Sequence, residues 1–451
     1  MAEREGLQSI TGNHGLDLSR RDLLLALGSS CIFPAACSAQ PAPVEFTPEA
    51  FGAKGDGVSD DYDALMRMVH AVNAAGGGTV GFERGRTYFL NRYRTAADEQ
   101  ANLAFSKCSG LALYGNGASI AVKGDFHRDA RSTRSLAGLV FEDCRRVAVH
   151  ALELVGNVGA TRRSLSIKEG PSHGLIFGGC FDVVIDGVTS RHFAGDGLYI
   201  RQGRSAPAGV RPACRRFTVR NSRFLFNARQ GMSVIQLRGG QFENCDFSYT
   251  GYIAPETRGP YGFHAPGAGV DVEPNHSPST DGAVDVMTGD LRFQNCRMIG
   301  NRGTSFIACK YGRRGPFLEQ ISLESCQFQC DEDGDSRYGF IFDADGEVRD
   351  CTLQMRQRTA FIGWSPLSDA RPRFSGNEVH GRNIGPGHPL LRVRKSGGVP
   401  IIEGNRFIVP DATALNGAAG RSVIVVDNPN AIVRDNRILT EQELLLNRVG
   451  P

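Results

Sequence analysis

The sequence has little of several things, and each shortage excludes something. It holds one tryptophan, and its formal net charge is only +3 across 451 residues. A balance so close to neutral, with scattered arginines, lacks the electrostatic footprint of a nucleic-acid partner. No apolar run approaches 18 residues, so no membrane-spanning helix is expected in the mature chain. No Cys-x-x-Cys pair occurs, which argues against a structural zinc site. The glycine-rich KGDG at 54–57 lacks the Gly-Lys-Ser/Thr ending of a phosphate loop. Alanine-rich helical stretches are few, whereas glycine is abundant at 56 residues, a balance that favours many turns and short strands.

What is present begins with a targeting segment. Ser19-Arg20-Arg21 precede an apolar stretch from Leu23 to Phe33 and then small residues. This resembles a twin-arginine export signal, an address read by a receptor and used for already folded proteins. Cleavage after Ala39 would remove residues 1–39 and leave 40–451 as a single domain, with a cap region at 46–90. The lost segment carries three basic and four acidic residues, so the mature net charge becomes +4. The expectation is a periplasmic or secreted protein with no membrane contact after signal removal.

A short pattern then recurs: RNSRF at 220–224, ENCDF at 243–247, QNCRM at 294–298, ESCQF at 324–328, RDCTL at 349–353, SGNEV at 375–379, EGNRF at 403–407 and RDNRI at 434–438. Repeats of this period mean stacked supersecondary units, each burying its apolar face only against its neighbours. The gap between Cys245 and Cys296 is about twice the others, which means one coil with a long insertion or two coils. Cys245, Cys296, Cys326 and Cys351 share one repeat position with Asn221, Asn377, Asn405 and Asn436. Such a ladder reads as buried free thiols rather than a disulfide framework, and export of a folded chain would bury them before they met an oxidising compartment.

Upstream, Ser59 reads as a helix N-cap, with Asp60 and Asp61 in the first turn and Leu65, Val69 and Val72 on one face. Gly76-Gly77-Gly78 ends the helix, and TVGF and TYFL read as strands. The run FGAKGDGVSDD, AAGGGTV and GRTYFL resembles the N-terminal region of pectate-lyase-superfamily proteins. Glu83 and Arg84 stand where that family often carries two prolines. The resemblance implies an all-β fold, a right-handed parallel β-helix with a short helix capping its open end. It also implies an acidic, uronic-acid-containing polysaccharide as substrate, and a monomer or homotrimer.

Three segments align on their glycines: GDGLYIRQ (195–202), RQGMSVIQ (229–236) and GAGVDVEP (267–274). Strand alternation turns Leu198, Met232 and Val270 inward, with Ile200, Val234 and Val272. The outward set is Tyr199 and Arg201, then Ser233 and Ile235, then Asp271 and Glu273. Stacked coils would gather these into one exposed patch, edged by Asp196 and Arg229 in the entering turns. The insertion Tyr249–Gly269, with His264 near its end, leads into the patch, and a second loop at 275–290 leaves it. Loops of such length are commonly functional.

Three chemistries compete for this patch. β-Elimination on a uronate polymer needs the substrate carboxylate neutralised, by Arg201 or Arg229 or by a divalent cation such as Ca2+ held by Asp271 and Glu273. It also needs a base, for which Tyr199, His264 or an arginine would serve; C5 epimerisation begins identically. Hydrolysis would use Asp271 and Glu273 as acid and base, since acids at i and i+2 of a strand lie about 6.5–7 Å apart at Cα, with Asp196 as a third acid. Hydrolases of similar fold usually carry Asp-Asp, Gly-His-Gly and Arg-Ile-Lys, and none occurs within 190–315. The third reading is carbohydrate binding alone, with the acids as recognition groups on the solvated side of a strand. Elsewhere, DEDGD at 331–335 reads as an acidic turn with oxygen ligands for calcium. Trp364 reads as a cover for the coil surface or a platform for a sugar.

Overall fold

The computed structural model describes residues 45–448 apart from 91–101, 123–125, 129–135, 159–160, 164–171, 205–209, 253–265, 275–282, 285–287, 310–317, 331–337, 357, 367, 382–387 and 411–422. Pro43–Pro451 form one compact unit. Short β-branched and aromatic runs broken by glycine and asparagine make strands too short to be stable alone, and they stack in parallel. One sheet has 13 strands and a second has 11. The third side consists of two six-stranded runs, bridged where Asp246 pairs with both Arg223 and Arg297. Each turn of chain contributes a strand to each side, so the architecture is a right-handed parallel β-helix, the hand that parallel crossovers take.

The interior is a single apolar column. Phe105, Phe141 and Phe177 stack on successive coils with ring centroids 5.4 and 4.6 Å apart. Leu237–Glu243 pairs directly with Thr288–Gln294. The long gap between Cys245 and Cys296 is therefore one coil with insertions. The insertion residues 253–265, His264 included, and the turn at 331–335 lie outside the described residues.

The Cys and Asn of the repeat are interchangeable for a visible reason. Each donates to a main-chain carbonyl of the preceding coil. Cys245 Sγ reaches Val219 O at 3.4 Å, Cys296 reaches Phe242 O at 3.3 Å, and Cys351 reaches Leu323 O at 3.5 Å. Asn377, Asn405 and Asn436 make the same bond through Nδ2 at 2.9 Å. The position before Cys245 belongs to Ser222, whose Oγ accepts the Val188 N–H at 3.1 Å, and not to Asn221, one residue early. A second thiol column, Cys108, Cys144, Cys180 and Cys214, borders the 13-stranded sheet; Cys144 and Cys180 donate to Phe105 O and Phe141 O in the same manner. These eight cysteines, together with Cys309 and Cys330, are all buried and free.

The cap helix spans Tyr62–Ala75, with Leu65, Val69 and Val72 buried. Ser59 is not its cap, because Asp56–Asp60 is a strand and the helix starts after Asp61. The Asp61 carboxylate turns away from the helix and accepts the N–H of Lys54 at 2.6 Å and of Gly55 at 3.1 Å. Asn73 ties the helix to the first coil, donating to Ala104 O at 2.8 Å and accepting from Ser106 N at 2.9 Å. At the other end Thr440 and Glu443 form a capping box for the helix Glu441–Arg448.

Candidate functional site

The site is built on four neighbouring strands of the 11-stranded sheet: Ser172–Gly178, Asp196–Arg201, Gln230–Val234 and Ala268–Val272. Leu198, Met232 and Val270 share a register position and are fully buried inside, as are Ile200, Val234 and Val272. Ile176, Tyr199, Ser233 and Asp271 share the outward position between them.

Strict alternation would send Asp196 and Gln230 inward, but the glycines break it. A Cβ on Gly197 would meet Asn227 Nδ2 at 2.6 Å, and one on Gly231 would meet Phe247 Cβ at 3.0 Å, both interior groups. Glycine and the apolar residue after it thus both face inside. The residue before glycine, Asp196 or Gln230, is released to the outer side. Only glycine fits, since a side chain there would strike the adjacent coil. Asp196 therefore stands within the strand rather than in its entering turn.

The outer side is not the exposed patch that alternation suggests. Asp196 is wholly buried and Asp271 is only 3 % exposed. Arg229 Nη1 lies 3.2 and 3.0 Å from the two Asp196 oxygens, and Ser233 Oγ donates to Asp196 Oδ2 at 2.8 Å. Burial alone would raise the Asp196 carboxyl, but Arg229, His173 and the Ser233 hydrogen bond outweigh it and bring the pKa down to about 2. Asp196 is thus a fixed anion, and Arg229 is its counter-ion.

Asp271 has the opposite fate. Burial, then the charge of Glu273, raise its pKa to about 8, against the smaller help of Arg229 and Gln230. Gln230 Nε2 donates to Asp271 Oδ2. Asp271 Oδ1 is buried with no hydrogen-bond partner among the described residues. At neutral pH Asp271 is therefore mainly a neutral acid with one buried oxygen that has no hydrogen-bond partner among the described residues. Glu273, partly exposed, follows two residues later on the same side.

Arg201 is engaged elsewhere. Its Nη2 pairs with Glu142 Oε2 at 2.7 Å, and both side chains are more than four-fifths buried. Gly178 lies between them in register, and a Cβ there would stand 2.4 Å from Arg201 Nη1 and 2.7 Å from Glu142 Oε2. Burial works against the Arg201 charge, but Glu142 outweighs it and raises its pKa, with a further contribution from the nearby Tyr199.

His173 and Gln230 escaped the sequence reading. His173 stacks on Tyr199 with ring centroids 5.1 Å apart. Its Nδ1 lies 3.0 Å from the main-chain N of Asp196 and 3.5 Å from Asp196 Oδ2. The signal was there: HGLIF at 173–177 repeats the pattern of DGLYI, QGMSV and AGVDV. That alignment puts His173 beside Asp196 and Gln230.

Calcium fits this set poorly. The ion takes about six to eight oxygen ligands, whereas Asp271 and Glu273 supply two carboxylates and Gln230 already occupies one oxygen. Among the described residues no three His, Cys, Asp or Glu side chains gather as a metal site.

No family model matches the chain. It is 24% identical over 328 residues to a capsule KN3-specific depolymerase of Klebsiella phage KN3-1, a match over 67% of this chain and 34% of that protein. The chain thus spans about a third of that relative's length. Among solved structures it is similar to the A-module of the mannuronan C-5 epimerase AlgE4 from Azotobacter vinelandii, with a TM-score of 0.62, 18% identity and coverage of 88% of this chain and 96% of that one. At this identity the likeness establishes architecture: the chain is a right-handed parallel β-helix, coiled as that module is along nearly its whole length.

Proposed function

We propose that the protein is a polysaccharide-active enzyme that attacks a uronic-acid-containing chain by β-elimination. The observation that carries this is Asp271, a buried neutral acid with one oxygen unpartnered among the described residues, in the same outward column as Tyr199. The two stand two rungs apart, about 10 Å, room for one sugar ring between them. The Asp271 acid would donate a hydrogen bond to the substrate carboxylate and so spread the charge that develops when the adjacent C5 loses its proton. Tyr199 takes that proton. The Arg201 cation lies nearby, and the His173 ring stacks on the phenol and holds it in place. The C5–H electrons form the C4=C5 double bond, the C4–O bond breaks, and the leaving oxygen takes the proton back from Tyr199. Arg229, Asp196 and Ser233 hold the strands in register beneath.

The relative and the structural neighbour support the substrate class: one is a capsule depolymerase, the other an epimerase of mannuronan. Incubation with a panel of uronate polymers, followed by the ultraviolet absorbance of unsaturated products, is the direct test. Hydrolysis is the second reading. A carboxyl held protonated at neutral pH beside a second, more exposed carboxylate is what an acid–base pair requires. New reducing ends without unsaturated products would establish it in place of elimination. Polymer binding without either product would sink both.

A further inference from the structure

The same sheet carries a second cluster, further along the helix axis. A cavity of about 400 Å³ opens there, lined by Tyr338, Phe361, His388, Arg392, Arg394 and Lys395 among others. Trp364, the only tryptophan in the chain, packs edge-on to Tyr338 and Phe361 with centroids 4.8 and 5.4 Å away. The Arg394 guanidinium lies 4.7 Å over the Trp364 ring. Arg392 Nε donates to Asp427 Oδ2 at 2.6 Å. The lining therefore holds three fixed cations against one carboxylate, and that carboxylate is taken by Arg392. Asp343, the other acid near Arg394, is buried and accepts the Ser365 N–H at 2.9 Å; burial pushes its carboxyl above the usual range.

Aromatic faces beside unmatched cations suit one kind of ligand. A sugar ring offers C–H faces to the aromatic wall, and a ring carboxylate offers charge to Arg394 and Lys395. The cluster is also in line with the candidate site. Asp271 pairs in register with Ile307, Ile307 with Ile341, Ile341 with Phe361, and Phe361 with Arg392. Four rungs separate the two, about 19 Å. The intervening outward positions, Ile307 and Ile341, are apolar and buried against Phe361 and Trp364, so they put no charge between the two. We propose that this cavity is a distal subsite for a carboxylated sugar, holding the same acidic chain whose reacting residue sits at Tyr199 and Asp271. The proposal rests on the acidic-polysaccharide reading of that site. It makes the enzyme selective for long anionic chains, because a short oligomer reaches only one of the two.

Trp364 gives the test, since it is the only tryptophan and packs directly on the lining residues Tyr338, Phe361 and Arg394. Purified protein is titrated with oligogalacturonates and oligomannuronates of graded length, and with neutral cello-oligosaccharides as control. Saturable change in emission is expected with the acidic oligomers and none with the neutral ones. Arg394→Ala with Lys395→Ala should weaken the acidic titration at least about tenfold. Lys395→Glu, at an exposed position that cannot disturb the core, should weaken it in the same direction. Unchanged emission with every acidic oligomer, in a sample that still turns over a uronate polymer, overturns the subsite. An equal response to neutral oligomers overturns it too. A good acidic titration with no turnover of any polymer would instead refute the catalytic reading and leave the subsite standing.

Discussion

Replacing Asp271 with Asn tests the central claim without needing a substrate. In the folded chain the Asp271 carboxyl has a pKa of about 8, pushed up first by burial and then by Glu273. In the unfolded chain it returns to near 3.8. The folded state therefore holds a proton that the unfolded state releases, and stability falls as pH rises between those two values. At about 1.4 kcal/mol per tenfold change in proton affinity, the full penalty is about 6 kcal/mol, reached above pH 8. An Asn side chain keeps the shape of the protonated acid, still accepts from Gln230, and cannot ionise. Thermal or denaturant unfolding of both proteins from pH 4.5 to 9 is the assay. The curves should lie only about 1 kcal/mol apart at pH 4.5 and separate steadily, with Asp271→Asn the more stable by several kcal/mol at pH 8.5. Parallel curves would refute the reasoning, because they would mean that Asp271 ionises in the folded state as freely as in water. The same variant divides the two chemistries. Asn retains an N–H for the substrate carboxylate but is no acid, so elimination should fall by about tenfold to a hundredfold, whereas hydrolysis should fall a thousandfold or more.

Other outcomes follow from the same geometry. Glu273→Gln removes the second cause of the raised Asp271 pKa, so the alkaline loss of activity should move to lower pH in a rate profile; an unmoved limb would mean the two carboxyls do not interact. Asp196→Ala leaves the largely buried Arg229 without its carboxylate and should cost about 3–5 kcal/mol in unfolding experiments. The stabilisation from Asp196 itself is present above its unfolded pKa near 3.8 and should be lost as pH falls toward 2. The ten coil cysteines should resist a thiol reagent until the chain unfolds, because each is buried; reaction in the native protein at more than trace rate would contradict the ladder.

Much of this was legible before the structure. The coil repeat, the thiol ladder, the cap helix and the inward face of the site strands all follow from a period and from alternation. Both are local properties, set by backbone geometry and by which residues water rejects. Two features were legible but unread. The column Cys108, Cys144, Cys180 and Cys214 has nearly even spacing, and HGLIF repeats the site-strand motif and brings in His173.

The rest belonged to the packed coils. Alternation placed Asp271 on the outer side, yet the sequence cannot report how deeply that side is covered, and burial is what turns Asp271 from a solvated carboxylate into a neutral acid. The sequence also put Asp196 in the turn entering its strand; it lies within the strand and faces outward because the glycine–apolar pairs at Gly197 and Gly231 both turn inward, and only the neighbouring coil enforces that. The pairing of Arg229 with Asp196, and of Arg201 with Glu142 across Gly178, joins residues more than 30 positions apart in the chain. The solenoid and the strands that carry the site follow from periodicity, which is written residue by residue. Which charges are neutralised follows from the packed coils, because it depends on the distance and desolvation of groups on different turns of the chain.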